Sequence, residues 1–204
     1  MAATKVLADP PAASVEEIFE AAGALRRGHF LLKSGRHSDR YLEKFAVLQY
    51  PSLAIEIGRR LAISLAPHDP TLVVGPTTGG LLLAFETARH LQDQLGHTVR
   101  GIFAEPTGPG QRALRRGWPV GGGDRIVLVD DILTSGASVR ETVDAVLAAG
   151  GRPLAATVIV DRSTAAVDVG VPLGALARIE IASWEADGCP LCAQGMPLEK
   201  PGSS

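Results

Sequence analysis

Cysteine is nearly absent, with two in 204 residues. A disulfide framework is therefore excluded, and the usage fits a reducing, cytoplasmic setting. A basic excess is missing too, since the formal net charge is −2. General nucleic-acid and anionic-membrane binders carry such an excess, so neither partner is expected. Any anion chemistry must come from local placement of Arg and Lys. No apolar run approaches the ~18 residues that a membrane helix needs. The Ala- and Pro-rich start, Met1 to Ser14, lacks the apolar stretch of a signal peptide. Internal repeats are absent. At 46% hydrophobic and 21% charged residues the usage is ordinary and globular. That is enough for the core of one domain and excludes wholesale disorder.

Residues 1–13 and 200–204 read as disordered tails around a single domain at 14–199. Ser14-Val15-Glu16-Glu17 matches a capping box and predicts a helix to about Arg27. Residues 28–50 mix short apolar pairs with polar residues and read as a hairpin or loop-rich hood. Pro51 then opens a helix to about Ala66, with Leu53, Ile57, Leu61 and Leu65 on one stripe. Strands are expected at 71–74, 99–104, 125–129, 154–160 and 177–181, and helices at 79–95 and 138–149. Residues 105–123 are rich in glycine and proline, have no periodicity and read as a mobile loop. Strand–helix alternation with near-continuous apolar strands argues an α/β fold, a mostly parallel twisted sheet flanked by helices.

Ligands of open α/β sheets bind beyond the carboxyl ends of strands. At one such end an apolar strand delivers Asp130 and Asp131, then a run of small and hydroxyl residues that opens a helix. Thr134, Ser135, Gly136, Ala137 and Ser138 let backbone N–H groups approach an oxyanion, and the helix N-terminus adds donors and partial positive charge. The run lacks the lysine of a nucleoside-triphosphate loop. A ribose 5-phosphate suits it, with phosphate on the helix and hydroxyls on the two carboxylates. The plainer alternative is a helix cap after a buried strand, with the carboxylates merely solvated. At the second strand end, Gly75-Pro76-Thr77-Thr78-Gly79-Gly80 suits a pyrophosphate, although glycines there also serve packing. Arg112, Arg115 and Arg116 could close over a polyphosphate or simply face solvent.

These residues carry a resemblance. VLVDDILTSGAS (127–138) resembles the signature of type I phosphoribosyltransferases. GHFLLKSGRHSDRYL (28–42), IVDRS (159–163) and CPLCAQGMPLE (189–199) are similar to segments of the orotate branch of that family. The resemblance implies the type I phosphoribosyltransferase fold with an N-terminal hood. It also implies transfer of a phosphoribosyl group from phosphoribosyl pyrophosphate to orotate. It places Asp130 and Asp131 on the ribose hydroxyls, and Ile132, Leu133 and Thr134–Ser138 around the 5-phosphate. Thr77, Thr78, Arg112, Arg115 and Arg116 go with the pyrophosphate. Lys33 is implied at the reaction centre, and Lys33, Tyr41, Thr134 and Arg162 around orotate. Mg²⁺ held through substrate, and a homodimer, are implied as well. Orotate is an anion, so a desolvated carboxylate needs a cation, and Arg162 offers a bidentate fork.

The family's loop pattern puts Lys or Arg after Phe-Ala-Glu, whereas here Pro106 follows Phe103-Ala104-Glu105 and the loop holds no lysine. Pro106 removes a cation and a backbone donor, and Arg112 is the nearest substitute. A non-catalytic binder of phosphoribosyl pyrophosphate, or an enzyme for another base, are the competing readings. Cys189-Pro190-Leu191-Cys192 stands alone as a C-x-x-C, with no local candidates for two further zinc ligands. His29, His37, His68, His90 and His97 show no ligand spacing. The cysteines are expected to be reduced packing thiols.

Overall fold

The structure, a computed structural model, describes residues 13–32 and 34–201. The chain begins with α1 (Val15–Ala21), β1 (Leu25–Leu31), β2 (His37–Leu42) and α2 (Lys44–Leu48). It continues through α3 (Pro51–Leu65), β3 (Leu72–Pro76), α4 (Gly79–Leu95), β4 (Arg100–Gly108) and β5 (Gln111–Ala113). Then come β6 (Ile126–Leu133), α5 (Ala137–Ala148), β7 (Pro153–Asp161), β8 (Leu173–Arg178), β9 (Ser183–Trp184) and α6 (Pro190–Ala193). No helix among the described residues is long and apolar enough to cross a membrane. Two compact units result, one joining the chain up to Val47 with the chain from Ile179 on, the other Leu48–Arg178.

The larger unit holds a six-stranded sheet in the order β5-β4-β3-β6-β7-β8. Every pairing is parallel except β4 with β5. Alternation along each strand decides what the sheet buries on each face. Leu72, Val74, Ile102, Ile126 and Leu128 join Val139, Val143 and Val146 of α5 in one apolar cluster. Their strand neighbours Val73, Val127 and Val129 are equally buried and point the other way. There α4 packs on β3, β4 and β6. A Cβ at Gly101 would stand 2.9 Å from the Ala84 carbonyl oxygen, so glycine allows the α4 backbone to approach. Pro51 starts α3, and Leu53, Ile57, Leu61 and Leu65 are buried along it. Truncating fully buried Ile57 to alanine would cost about 2–5 kcal/mol.

In the smaller unit the capping box forms: Ser14 Oγ accepts from the Glu17 N–H, and Glu17 accepts from the Ser14 N–H. The helix stops at Ala21 rather than at about Arg27, because Gly23 at φ +68° turns the chain into β1. β1, β2 and β9 form an antiparallel sheet. The chain end docks there. Glu199 bridges Phe30, and its carboxylate takes both hydrogen bonds from Arg26 at 2.8 Å. Ala13, Lys200 and Pro201 lie in no helix or strand; the rest of the expected tails falls outside the described residues.

Two further expectations change. Residues 105–108 and 111–113 are strand rather than loop, a hairpin in which Pro106 faces Arg112. β3 ends opposite Ala104, so beyond it β4 is paired on one side only and a proline there breaks no second ladder. The last sheet strand is Leu173–Arg178, earlier than 177–181; Ile179 onward belongs to the smaller unit.

Candidate active site

β6 runs to Leu133, four residues past the expected end, because its pairing with β7 continues through Leu133 and Asp161. Asp130 and Asp131 therefore sit inside a strand, and alternation sends them to opposite faces. Asp130 shares the face of Leu128 and reaches α5, where its Oδ2 accepts a 2.5 Å hydrogen bond from Ser138 Oγ. Its Oδ1 accepts from the Asp131 N–H at 2.8 Å. Asp131 faces the start of α4, where a Cβ on Gly79 would come within 1.9 Å of Oδ2. Asp131 Oδ1 accepts from the Ile132 N–H at 2.7 Å. Both carboxylates are buried, at 4% and 3% exposure. The solvated-pair alternative is thereby removed.

The turn after β6 narrows the expected phosphate cradle. Ile132 and Leu133 belong to the strand, with Leu133 in the apolar cluster and its carbonyl accepting from the Arg162 N–H at 3.0 Å. The stretch beyond the strand, at the start of α5, is Thr134–Ser138. Gly136, at φ +79°, is the N-cap of α5 and has no side chain to cap it, while the Ala137 N–H reaches Ser135 Oγ at a long 3.5 Å. A helix start capped this weakly is chemically suited to an anion. The Ser138 hydroxyl is committed to Asp130, so its contribution would come from the backbone.

The turn after β3 is built by contact. A Cβ at Gly75 would lie 2.0 Å from the Gly80 carbonyl oxygen, and one at Gly80 2.6 Å from Pro76 Cδ. Those two glycines serve packing, the alternative held open above. Thr78 caps α4 without a side-chain hydrogen bond, and the Thr77–Thr78 peptide is cis. Thr77 N–H donates to the Ala104 carbonyl at 3.0 Å.

Arg112 is the loop cation that reaches this turn. It donates to the Thr77 and Ala104 carbonyls at 3.4 and 3.3 Å and pairs with Glu141 of α5 at 3.1 Å. Arg116 is instead neutralised by a two-point pair with Glu105, at 2.6 and 3.0 Å, and Arg115 is exposed. Arg162 Nε donates to Thr134 Oγ1 at 2.8 Å, which ties the two expected orotate contacts together. Tyr41 is on β2 of the other unit, packed against Phe30 with ring centroids 5.8 Å apart. Lys33 lies outside the described residues. Gly79 stands in the turn that the sequence marks, but nothing in the sequence marks Glu141, since no spacing ties it to a strand hairpin.

The chain matches the model of the phosphoribosyl transferase domain over residues 46–181. The orotate phosphoribosyltransferase of Pelotomaculum thermopropionicum is 44% identical over 186 residues, covering 91% of this chain and 94% of that one. That of Caldanaerobacter subterraneus subsp. tengcongensis is 41% identical over 189 residues, 93% and 96% of the two chains. The crystal structure of orotate phosphoribosyltransferase from Aeropyrum pernix aligns with a TM-score of 0.61 at 25% identity, covering 81% of this chain and 93% of that one. With the sequence matched over about nine-tenths of its length and the fold matched in space, the chain belongs to the orotate phosphoribosyltransferase family of type I phosphoribosyltransferases.

Proposed function

We propose that this protein transfers the 5-phosphoribosyl group of phosphoribosyl pyrophosphate to orotate in pyrimidine biosynthesis. Orotidine 5′-monophosphate and pyrophosphate are the products. The observation that carries the reading is the pairing of two helix N-termini whose N-cap residues, Thr78 and Gly136, make no side-chain cap bond, with a buried carboxylate against each.

In this reading the Thr134–Ser138 turn holds the 5-phosphate and Asp130 and Asp131 accept from the ribose hydroxyls. The Thr77–Thr78 turn with Arg112 holds the pyrophosphate. The orotate ring nitrogen attacks the anomeric carbon as the bond to pyrophosphate breaks, through an oxocarbenium-like transition state. Arg162, steadied by Thr134, pairs with the orotate carboxylate, and Lys33 and Tyr41 are the hood's contribution. No protein nucleophile is needed. Asp130 Oδ1 and Oδ2 and Asp131 Oδ1 already accept protein hydrogen bonds, so the two carboxylates do not make a dedicated cage for a hard cation. The donor set suits a Mg²⁺ held by the oxygens of the substrate instead. When bound, that ion neutralises charge on the leaving pyrophosphate.

A homodimer in the cytoplasm completes the proposal. Phe85 and Leu82 on α4 are large exposed apolar residues, 64% and 40% accessible. They border a groove with Pro51, Ala54 and Phe103, a surface suited to a second copy. Pro106 alone favours the rival reading of a binder without turnover. The deciding experiment incubates the protein with phosphoribosyl pyrophosphate, Mg²⁺ and either orotate, adenine or hypoxanthine. Pyrophosphate release and nucleotide formation are then measured. Turnover with orotate alone is expected. Ligand binding without pyrophosphate release would overturn the proposal, as would turnover only with a purine.

A further inference from the structure

The two cysteines and two of the histidines, far apart in sequence, converge in the smaller unit. Phe30 pairs with Ser38 and Leu31 with His37 across the β1–β2 hairpin. The register shifts between Arg27 and Phe30, and in that bulge His29 lies beside His37, their ring centroids 4.9 Å apart. Cys189 and Cys192 share one turn at the start of α6, a spacing that presents two sulfurs together. His29 Nε2 lies 2.9 Å from His37 Nδ1, 3.5 Å from Cys189 Sγ and 3.7 Å from Cys192 Sγ. Cys192 Sγ lies 3.3 Å from His37 Nδ1, and all four donor atoms fall within 4.8 Å of one another.

We propose that His29, His37, Cys189 and Cys192 bind one zinc ion in a closed, structural tetrahedral site. Three arguments carry this. The first is distance. Zinc bonds of ~2.0–2.1 Å to nitrogen and ~2.3 Å to sulfur, at the tetrahedral angle, set donors about 3.3–3.8 Å apart. Three of the nitrogen–sulfur separations already match, and the two nitrogens need to part by only about 0.4 Å. Donors this close enclose one ion, with no room to divide sulfurs and nitrogens between two irons.

The second argument is proton placement. His29 Nδ1 is 2.8 Å from the Met196 carbonyl oxygen, which can only accept. The ring therefore carries its proton on Nδ1 and turns the Nε2 lone pair towards the two sulfurs and His37. A backbone carbonyl accepting the other ring N–H is a usual outer partner of a metal-bound histidine. The third is burial. His29, His37 and Cys189 are 3%, 6% and 4% exposed, whereas Cys192 is exposed and gives an ion its way in. With four protein donors the ion keeps no open position, so the site serves structure rather than catalysis. It pins the hairpin to the C-terminal turn, closing a very long loop in a unit whose sheet has only three strands. Mixed imidazole and thiolate donors favour zinc over Mg²⁺.

The test measures metal, not turnover, so it is independent of the proposed reaction. The full chain is expressed with added zinc, purified without chelator under reducing conditions, and its metal content measured by elemental mass spectrometry. About one zinc per chain is expected. Cys192→Ser, at the exposed ligand, and Cys189→Ser should both lose it. Cobalt added to the metal-free wild type should give the intense visible bands of a tetrahedral thiolate site. A chelator should lower the melting temperature, and zinc but not magnesium should restore it. Three results would overturn the site: no zinc or cobalt uptake by the reduced wild type, undiminished zinc in Cys192→Ser, or cobalt bands indifferent to both cysteine changes. The wild-type cobalt titration stands even where a variant fails to fold.

Discussion

A side chain one methyl larger at Gly79 would occupy the space that Asp131 Oδ2 fills, with only 1.9 Å between them. The glycine at the start of α4 is thus a condition for the carboxylate on β6. Gly79→Ala is expected to cost about 1–3 kcal/mol in urea unfolding through overpacking. Turnover should fall with it, because Asp131 must move. Gly123→Ala, with open space around position 123, should stay within about 0.5 kcal/mol of wild type. Equal behaviour of the two variants would refute the link.

Ser138 and Asp130 form the corresponding lock at α5. Removing the hydroxyl leaves a buried carboxylate short of a donor, so Ser138→Ala should lose about 1–3 kcal/mol of stability. A double-mutant cycle with Asp130→Asn should return a coupling of similar size. A coupling near zero means that the bond contributes nothing.

Arg162 and Thr134 predict a split between substrates. Losing a charge-assisted pair is worth about 1.5–3 kcal/mol, so Arg162→Ala should raise the orotate KM by about 10–150-fold. The KM for phosphoribosyl pyrophosphate should hardly move. Arg162→Lys should recover little, since a point charge lacks the guanidinium fork. Steady-state kinetics with each substrate varied checks this; equal loss on both would remove the orotate role.

Phe85 predicts assembly. Phe85→Lys puts a charge on the exposed apolar stretch of α4 and should convert a dimer to monomers in light scattering. Unchanged mass would move the interface elsewhere.

Glu56 sets an acid limb. Hydrogen bonds from Arg59 and Arg60 lower its pKa from 4.5 to about 2. Because the folded value is depressed, its contribution is present above about pH 4.5 and is lost as pH falls towards 2. Solvent screening limits this helix-surface cluster to about 1 kcal/mol. Glu56→Gln should destabilise the protein at pH 6 and flatten its stability between pH 4.5 and pH 2.

His97 gives a limb of opposite sign. Its hydrogen bond to Asp69 raises its pKa above 6.5. That contribution is present below pH 6.5 and is lost as pH rises through the higher folded value. Asp69→Asn should remove this alkaline decline in a pH series of melts.

The sequence by itself determined the elements whose signal is local. The stripe Leu53, Ile57, Leu61 and Leu65 named α3, unbroken apolar strands named a parallel sheet, and small residues after Asp131 named the turn at α5. Tertiary structure decided what depends on partners brought from afar. β7 extends β6 through Leu133 and so puts Asp130 and Asp131 inside a strand, on opposite faces. Pro106 becomes strand because β3 has ended beside it. Arg112 reaches Thr77 and Glu141 through the β4–β5 hairpin. His29 and His37 meet Cys189 and Cys192 because a hairpin face and a C-terminal turn dock, and spacing along a chain records no such distance.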